Sequence, residues 1–175
     1  MDHEWTIYGS AVQEVLVGVT YDPIADELFW ATKGGGAFRR SPRISGSVAV
    51  PLRTSTATGI AQALIAVECG YRRDEKAISL FAKRSSALLR RGVRSLRMPG
   101  ACGLALAYVA AGRLDCFFEQ NGPKIWDFAG GSLLVREAGG VVQDPRGDAH
   151  DLMGRSVLVA SSAALCDDVV SAINQ

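Results

Sequence analysis

The sequence predicts an α/β fold in which helices pack on both faces of a sheet. From about residue 60 onward, short apolar runs alternate with segments whose apolar residues recur at helical spacing. Such alternation is typical of α/β proteins. The chain has 175 residues, of which 48% are hydrophobic and 21% charged. It is therefore long enough and apolar enough to bury a core without disulfides or structural metals.

The charge balance excludes several classes of partner. Lys plus Arg is 19 and Asp plus Glu is 18, giving a net charge of +1, so no broad electrostatic attraction to nucleic acid or anionic lipid is expected. No apolar run is long enough to cross a membrane, and the first 20 residues lack the features of a signal peptide. We expect a soluble, cytoplasmic protein with no nucleic-acid or membrane partner.

A hairpin is predicted near the amino terminus. Its first strand carries valine at every second position, Val15, Val17 and Val19, and Asp22-Pro23 then turns the chain. Glu27–Thr32 forms the second strand. The two strands should therefore pair across a loop of several residues.

The sequence predicts two structural units, the first of which contains the hairpin. The glycine run in Lys33–Phe38 lacks the Gly-Lys-Ser/Thr ending of a phosphate loop, which favours a β-turn or bulge. Residues 41–59 are rich in Ser, Thr, Pro and Gly, so a boundary is expected there. The units are residues 12–58 and 59–175, and residues 1–11 are left unassigned.

Strands and helices alternate in the second unit. The helix predicted after residue 73 shows the clearest pattern, because its apolar residues recur at helical spacing and predict one buried face. These residues are Ile78, Phe81, Leu88 and Leu89. Glycines end the next two helices. Strands are predicted at Ala63–Val67, Val93–Met98, Leu114–Glu119, Val141–Gln143 and Val157–Ser161, and helices at Asp74–Arg91, Ala101–Ala111, Asp127–Ala138 and Ala163–Ile173.

Candidate binding residues lie where predicted strands end and helices begin, because ligands bind at the carboxyl ends of strands in such sheets. The turn at Gly100 and Ala101 leads into a helix whose first N–H groups have no intrahelical partner. A second strand ends on Glu119, and a helix opens on Asp127. Asp127 could instead simply cap its helix, and Glu119 could be an exposed strand end.

The four cysteines, Cys69, Cys102, Cys116 and Cys166, are predicted to be buried free thiols. They are widely spaced, show no Cys-x-x-Cys pair, and each lies in an apolar stretch. Neither zinc binding nor a disulfide framework is indicated.

Three blocks of the sequence closely resemble the inositol monophosphatase family of magnesium-dependent phosphomonoesterases. They are Trp126–Gly140, Gly100–Glu119 and Val19–Phe38, and they occur in the family's order. The resemblance covers about residues 12–175 and implies a layered α-β-α-β-α sandwich with a mixed sheet. Residues 12–58 would then be a hairpin remnant of the amino-terminal subdomain, with that subdomain's other layers largely missing, and 59–175 the carboxy-terminal subdomain.

The resemblance implies a role for each candidate residue. Asp127 matches a Mg²⁺ ligand that also borders the substrate, and Glu119 matches a carboxylate that accepts hydrogen bonds from substrate hydroxyls. Gly100, Ala101 and Cys102 match the turn that contacts the polyol. Ala101 replaces the usual Ser or Thr, so one side-chain contact to the polyol is lost.

Two stretches depart from the family's pattern. The segment from Glu119 to Asp127 is one residue longer and contains Lys124, which could bind a second phosphate or could be an exposed loop lysine. Asp22-Pro-Ile-Ala-Asp26 imitates the family's metal-binding motif, but its neighbours match the hairpin. We therefore expect no metal at Asp22 or Asp26.

The implied activity is Mg²⁺-dependent hydrolysis of a phosphate monoester, myo-inositol monophosphate first, by a protein that is a homodimer when intact. The alternatives are a bisphosphate nucleotide, histidinol phosphate or fructose bisphosphate as substrate. The family's first metal site is not found, and Met1–Ser10 matches nothing recognisable. A truncated form is therefore expected, either weak or inactive by itself or acting through dimerisation.

Overall fold

Two sheets and four helices make up the described part of the chain, which in this computed structural model is residues 14–120 and 122–175. The predicted unassigned start, residues 1–11, lies outside it. The first sheet is antiparallel, with its strands side by side in chain order. These strands are β1 (Val17–Asp22), β2 (Glu27–Thr32), β3 (Gly36–Arg40) and β4 (Val50–Pro51).

The second sheet is mixed, as predicted, with the strand order β6-β5-β7-β9-β8. Its strands are β5 (Leu64–Val67), β6 (Ser95–Arg97), β7 (Cys116–Gln120), β8 (Val141–Gln143) and β9 (Ser156–Ala160). Strand β5 runs parallel to β6 and β7, whereas β9 runs antiparallel to β7 and β8. The helices are α1 (Glu75–Arg90), α2 (Cys102–Ala110), α3 (Ile125–Glu137) and α4 (Ala163–Ile173), and a short 3-10 turn spans Ile60–Gln62.

Helices α2 and α3 form a layer between the two sheets. One hydrophobic core joins both sheets to this layer, and its largest buried side chains include Phe29, Leu106, Phe117, Phe128 and Leu134. A second core lies on the other face of the second sheet, where α1 and α4 contribute Leu88, Leu165 and Val169. The prediction of helices on both faces of a mixed sheet is confirmed. Within the described ranges, no helix has the length and apolar character needed to span a bilayer.

The glycine run forms a turn and then a strand that sequence analysis missed. Gly34 and Gly36 adopt positive φ angles of 72° and 84°, and β3 begins at Gly36. Their N–H groups donate to the two carboxylate oxygens of Glu137, over 2.8 and 2.9 Å. The turn therefore binds a carboxylate of the same chain, at the end of α3.

Glycine is also required where α3 crosses the first sheet. A Cβ atom on Gly18 would lie 2.3 Å from the carbonyl oxygen of Gly130. Real Cβ atoms do not approach a backbone oxygen so closely, so β1 and α3 are held in direct backbone contact.

A buried polar network joins the hairpin to α2. Asp22 is only 5% exposed and accepts hydrogen bonds from the hydroxyl of Tyr108, over 2.6 Å, and from the N–H groups of Ile24 and Ala25. The bond from Tyr108 is the main reason that the pKa of Asp22 lies below its usual range. Nearby, Glu27 is paired with the guanidinium of Arg113.

We predict that Tyr108→Phe destabilises the protein by about 1–2 kcal/mol, because a buried carboxylate loses a hydrogen-bond donor. Urea unfolding followed by circular dichroism measures the free energy. Tyr71→Phe is the matched control, since Tyr71 is 78% exposed and should cost less than about 0.5 kcal/mol. Equal costs for the two variants would contradict a stabilising role for the Asp22–Tyr108 bond.

The outer face of the first sheet is apolar and exposed. Val17 and Val19 on the edge strand β1 are 61% and 59% exposed. The register places Trp30 beside Val19 and Phe38 beside Trp30, and the two aromatic rings are stacked at 5.8 Å. Among the described strands, β1 pairs only with β2, and an apolar face that ends on such an edge favours association between chains.

We predict that the chain self-associates and that the double substitution Val17→Thr/Val19→Thr reduces this association, because threonine keeps the β-branched shape while adding a hydroxyl. Size-exclusion chromatography with light scattering measures it. Ile44→Thr/Val48→Thr is the control, since these residues are 62% and 73% exposed but lie in a loop. A wild-type chain that stays monomeric would show that the face is inert.

Candidate active site

A cleft of about 390 Å³ lies at the carboxyl ends of strands β5 and β7 and beside the start of α2. It brings together five of the predicted site residues, Gly100, Ala101, Cys102, Glu119 and Asp127, which are separated by as many as 27 positions in sequence. Parallel strands place their carboxyl ends at one edge of a sheet, and ligands of α/β proteins bind at such edges.

The turn before α2 forms one wall of the cleft. Gly100 has a φ of 82°, and its N–H donates to Oε1 of Glu68 over 2.5 Å. Ala101 precedes the helix and supplies no side-chain cap. The first amide that bonds back to the helix start is that of Ala105. The amides of residues 102–104 are therefore available to a ligand oxygen.

Glu119 is the most buried carboxylate of the cleft, with 6% of its surface exposed. Burial, followed by the charges of Glu68 and Asp127, raises its pKa to about 7. The following loop approaches it closely, because a Cβ atom on Gly122 would lie 2.3 Å from its Oε1 atom. Near neutral pH, Glu119 can therefore either accept a hydrogen bond as a carboxylate or donate one as an acid.

All four cysteines are free thiols as predicted, but only two of them are buried, and the other two line the cleft. Cys116 and Cys166 are buried, whereas Cys69 and Cys102 are half-buried beside Glu68 and Glu119. Burial, followed by the neighbouring carboxylates, raises the pKa of the Cys102 thiol far above its usual value. Cys102 is therefore protonated at neutral pH and unsuited to act as a nucleophile.

Asp127 is the third residue of α3, because the helix begins at Ile125 rather than at Asp127 as predicted. Its Oδ2 atom accepts the N–H of Lys124 over 2.8 Å. It therefore stabilises the start of the helix without being the capping residue, and the same carboxylate lines the cleft. One side chain can thus serve both the helix and a ligand.

The donor set at the cleft fits Mg²⁺ only in part. Asp127 supplies hard carboxylate oxygen, and Mg²⁺ is commonly held by one or two carboxylates together with water and substrate phosphate. Among residues 14–120 and 122–175, no group of three or more His, Cys, Asp or Glu side chains is arranged to hold a metal. Asp127 therefore fits as a single ligand of a larger metal site.

Lys124 lies beside the cleft rather than in it. It lines a neighbouring hollow of about 260 Å³ with Tyr71, Trp126 and Arg155, and its ammonium lies 4.9 Å from the centre of the Trp126 ring. The hollow shares Tyr71 and Asp127 with the cleft. The predicted contact of Lys124 with a second phosphate stays a prediction.

Arg155 fixes the loop between Glu119 and α3. Its guanidinium donates to the carbonyl oxygens of Pro123 and Gly122, each over 2.9 Å. Arg155 immediately precedes β9, the neighbour of β7, and so it ties the loop to the same sheet that carries Glu119.

Three further residues line the cleft and were not predicted from the sequence: Glu68, Tyr71 and Arg73. Glu68 follows the last residue of β5. The signal that identified Glu119, an acidic residue at the end of an apolar strand, was equally present at Glu68. Tyr71 and Arg73 lie in a loop whose position could not be inferred from the sequence pattern.

The two aspartates of the imitation metal motif accept hydrogen bonds within the protein. The Asp22 carboxylate accepts hydrogen bonds from the Tyr108 hydroxyl and two backbone amides. Asp26 accepts hydrogen bonds from the Tyr21 hydroxyl and the Arg43 amide. Both lie in the hairpin and neither lines the cleft.

Comparison with known proteins identifies the family of the chain. The model of the inositol monophosphatase family matches residues 10–175. The chain belongs to the inositol monophosphatase family. Inositol monophosphatase 3 of Solanum lycopersicum is 43% identical over 159 residues, and the inositol monophosphatase of Dictyostelium discoideum is 40% identical over 146 residues. These matches cover 91% and 83% of this chain.

The fold is shared with solved members of the family. The extragenic suppressor protein suhB of Bartonella henselae superposes with a TM-score of 0.78 at 32% sequence identity, covering 91% of this chain and 57% of suhB. The chain spans about half the length of the curated relatives it matches, 56% for the tomato protein and 50% for the Dictyostelium protein. The family is one of metal-dependent phosphatases.

We predict that Glu119 makes stability fall as the pH rises from about 4.5 to about 7. The folded carboxyl group binds its proton more tightly than the unfolded one, so its contribution is complete below about pH 4.5 and is lost through the raised pKa near 7. Relative to Glu119→Gln, the free energy of unfolding of the wild type should drop across this window by on the order of 2 kcal/mol.

Urea unfolding without Mg²⁺ between pH 4.5 and 8 measures this difference. Glu75→Gln, at an exposed position in the first turn of α1, is the matched control and should follow the wild-type profile. If the profiles of wild type and Glu119→Gln run parallel, the pKa of Glu119 is not raised.

Proposed function

We propose that this chain carries the substrate-side wall and one metal ligand of a Mg²⁺-dependent phosphatase that hydrolyses myo-inositol monophosphate. The observation that carries the proposal is the meeting of Glu119, Asp127 and the start of α2 in one cleft. The names of the relatives, inositol monophosphatases, support this substrate class.

The residues of the cleft suit a polyol phosphate. Glu119 can exchange hydrogen bonds with a sugar-like hydroxyl, and the free amides at the start of α2 can donate to a ligand oxygen. Asp127 would hold Mg²⁺ through its carboxylate. Bound Mg²⁺ in such a site lowers the pKa of the attacking water and neutralises phosphate charge.

Several finer assignments also belong to the proposal. The substrate could instead be a bisphosphate nucleotide, histidinol phosphate or fructose bisphosphate, with Lys124 and Arg155 beside the cleft as cations for a second phosphate. A homodimer in the cytoplasm is the expected state of the intact protein. The division at residues 58 and 59 is likewise proposed, and it falls between the two sheets.

A second candidate function is non-catalytic. The described residues hold no group of three or more metal-ligand side chains, and hydrolysis through two metal ions requires several convergent ligands. On this alternative the chain binds the ester, or another subunit, without turning the ester over.

We predict that Mg²⁺ strengthens the binding of myo-inositol 1-phosphate to this chain and that Asp127→Asn reduces this strengthening by about tenfold or more, because a neutral amide is a poor ligand for a hard cation. Isothermal titration calorimetry with and without Mg²⁺ measures it. The asparagine oxygen can still accept the Lys124 N–H, so the helix should be preserved in circular dichroism.

Asp148→Asn is the control for the loss of one carboxylate, since the Asp148 side chain is 75% exposed. It should bind like the wild type. If Asp127→Asn kept the full Mg²⁺ dependence, Asp127 would serve only the start of α3 and the metal assignment would be wrong. Phosphate release in the same samples separates the two functions, since turnover abolished by EDTA supports an enzyme and binding without turnover supports the non-catalytic alternative.

A further inference from the structure

Glu68 and Glu119 stand side by side at the carboxyl edge of the second sheet. Strands β5 and β7 are parallel neighbours, with Val67 opposite Phe118, and the N–H of Glu68 donates to the carbonyl of Phe118 over 3.4 Å. Glu68 directly follows Val67, and Glu119 directly follows Phe118. Both side chains line the same cleft.

Glu68 is fixed by the opposite wall of the cleft. Its Oε1 atom accepts the N–H of Gly100 over 2.5 Å, which ties β5 to the turn before α2. Within the described residues, Gly100 is the one hydrogen-bond partner of the Glu68 carboxyl group. Oε2 is therefore available to a hydroxyl of a ligand.

Two acidic side chains this close repel each other when both are charged, and the charge of Glu68 contributes to the raised pKa of Glu119. This cost is relieved when hydroxyl groups donate to the carboxylates, because hydrogen bonds to ionised acceptors are strong. Ala101 provides no hydroxyl on the facing turn. Glu68 and Glu119 are therefore two adjacent acceptors in the cleft for hydroxyl groups of a ligand.

We propose that Glu68 is a specificity-determining residue that acts with Glu119, the two carboxyl groups binding neighbouring hydroxyls of the substrate's polyol ring. The inference rests on the proposed function, since it assigns a residue to the same cleft. The two carboxyl groups select phosphate esters with hydroxyls on adjacent carbons over esters of the same shape that lack these hydroxyls.

The test compares two ligands in the presence of Mg²⁺. myo-Inositol 1-phosphate and cyclohexyl phosphate share a six-membered ring and a phosphate, but only the first carries ring hydroxyls. Protein-observed NMR titrations give both dissociation constants for the wild type and for Glu68→Gln. We expect the wild type to prefer the inositol ester and Glu68→Gln to lower that preference by about tenfold, with little change for cyclohexyl phosphate, because one hydrogen bond to a charged acceptor is lost.

Glu68→Gln keeps an oxygen for the Gly100 N–H, so the Gly100 amide signal should stay in place, whereas Glu68→Ala should shift it. Glu75→Gln, an exposed residue of α1, is the matched control and should keep the wild-type preference. In Glu68→Gln/Glu119→Gln, the two esters should bind almost equally.

The outcomes separate this inference from the proposed function. An unchanged preference in Glu68→Gln, or an equal loss of affinity for both esters, would overturn the role of Glu68 while leaving the phosphatase proposal standing. Loss of the Mg²⁺ dependence in Glu68→Gln would identify Glu68 as a metal ligand, and this result would also overturn its role in hydroxyl recognition. If the wild type bound neither ester, the proposed function would fail and this inference with it.

Discussion

The backbone contact between β1 and α3 is the constraint on which the rest of the structure depends. A side chain at Gly18 would collide with the carbonyl oxygen of Gly130, so β1 and α3 meet backbone to backbone. The helix is therefore pressed against the first sheet while its other side packs on α2 and the second sheet. Because α3 starts near the cleft and ends at the β2–β3 turn, this contact determines where Asp127 lies relative to the sheets.

Both ends of α3 are secured by hydrogen bonds to its own acidic residues. Near the start, Asp127 accepts the N–H of Lys124. At the end, Glu137 accepts the amides of Gly34 and Gly36. A carboxylate at the carboxyl end of a helix is ordinarily unfavourable because of the helix dipole, and the two amides offset this cost. Hydrogen bonds at both ends and packing along its side therefore restrain α3, and with it the position of Asp127 at the cleft.

Much of the fold could be predicted from the sequence, because the second unit obeys simple periodicity. Helix α1 falls within its predicted range, since apolar spacing and the capping residue Asp74 are both local signals. Its buried face is narrower than predicted, because Ile78 and Leu89 are 48% and 60% exposed. Strand β3 was missed because glycine at its start indicated only a turn. Strand β4, Val50–Pro51, has two residues, too few for any pattern to reveal. Its pairing depends on β3 rather than on its own sequence.

The sequence predicted residues of the candidate site only where a polar or acidic side chain lies next to the end of a strand or the start of a helix. Glu119 and Asp127 could be named from the sequence because each adjoins a regular element, although α3 starts two residues before the predicted position. Glu68 carries the same signal, and its importance became visible only when the parallel register placed it beside Glu119. Long-range pairing of this kind leaves no trace in one sequence read alone.

The turn that binds Glu137 shows that a glycine-rich segment can recognise an anion of its own chain. Backbone amides in a tight turn create a small concavity of positive potential, and inorganic anions commonly occupy such nests. In this protein the nest is filled from within, by a carboxylate 101 residues away from Gly36. A free phosphate would have to compete with a tethered anion at very high effective concentration. A glycine motif can therefore carry the full geometry of anion recognition and yet be closed to any ligand from solution.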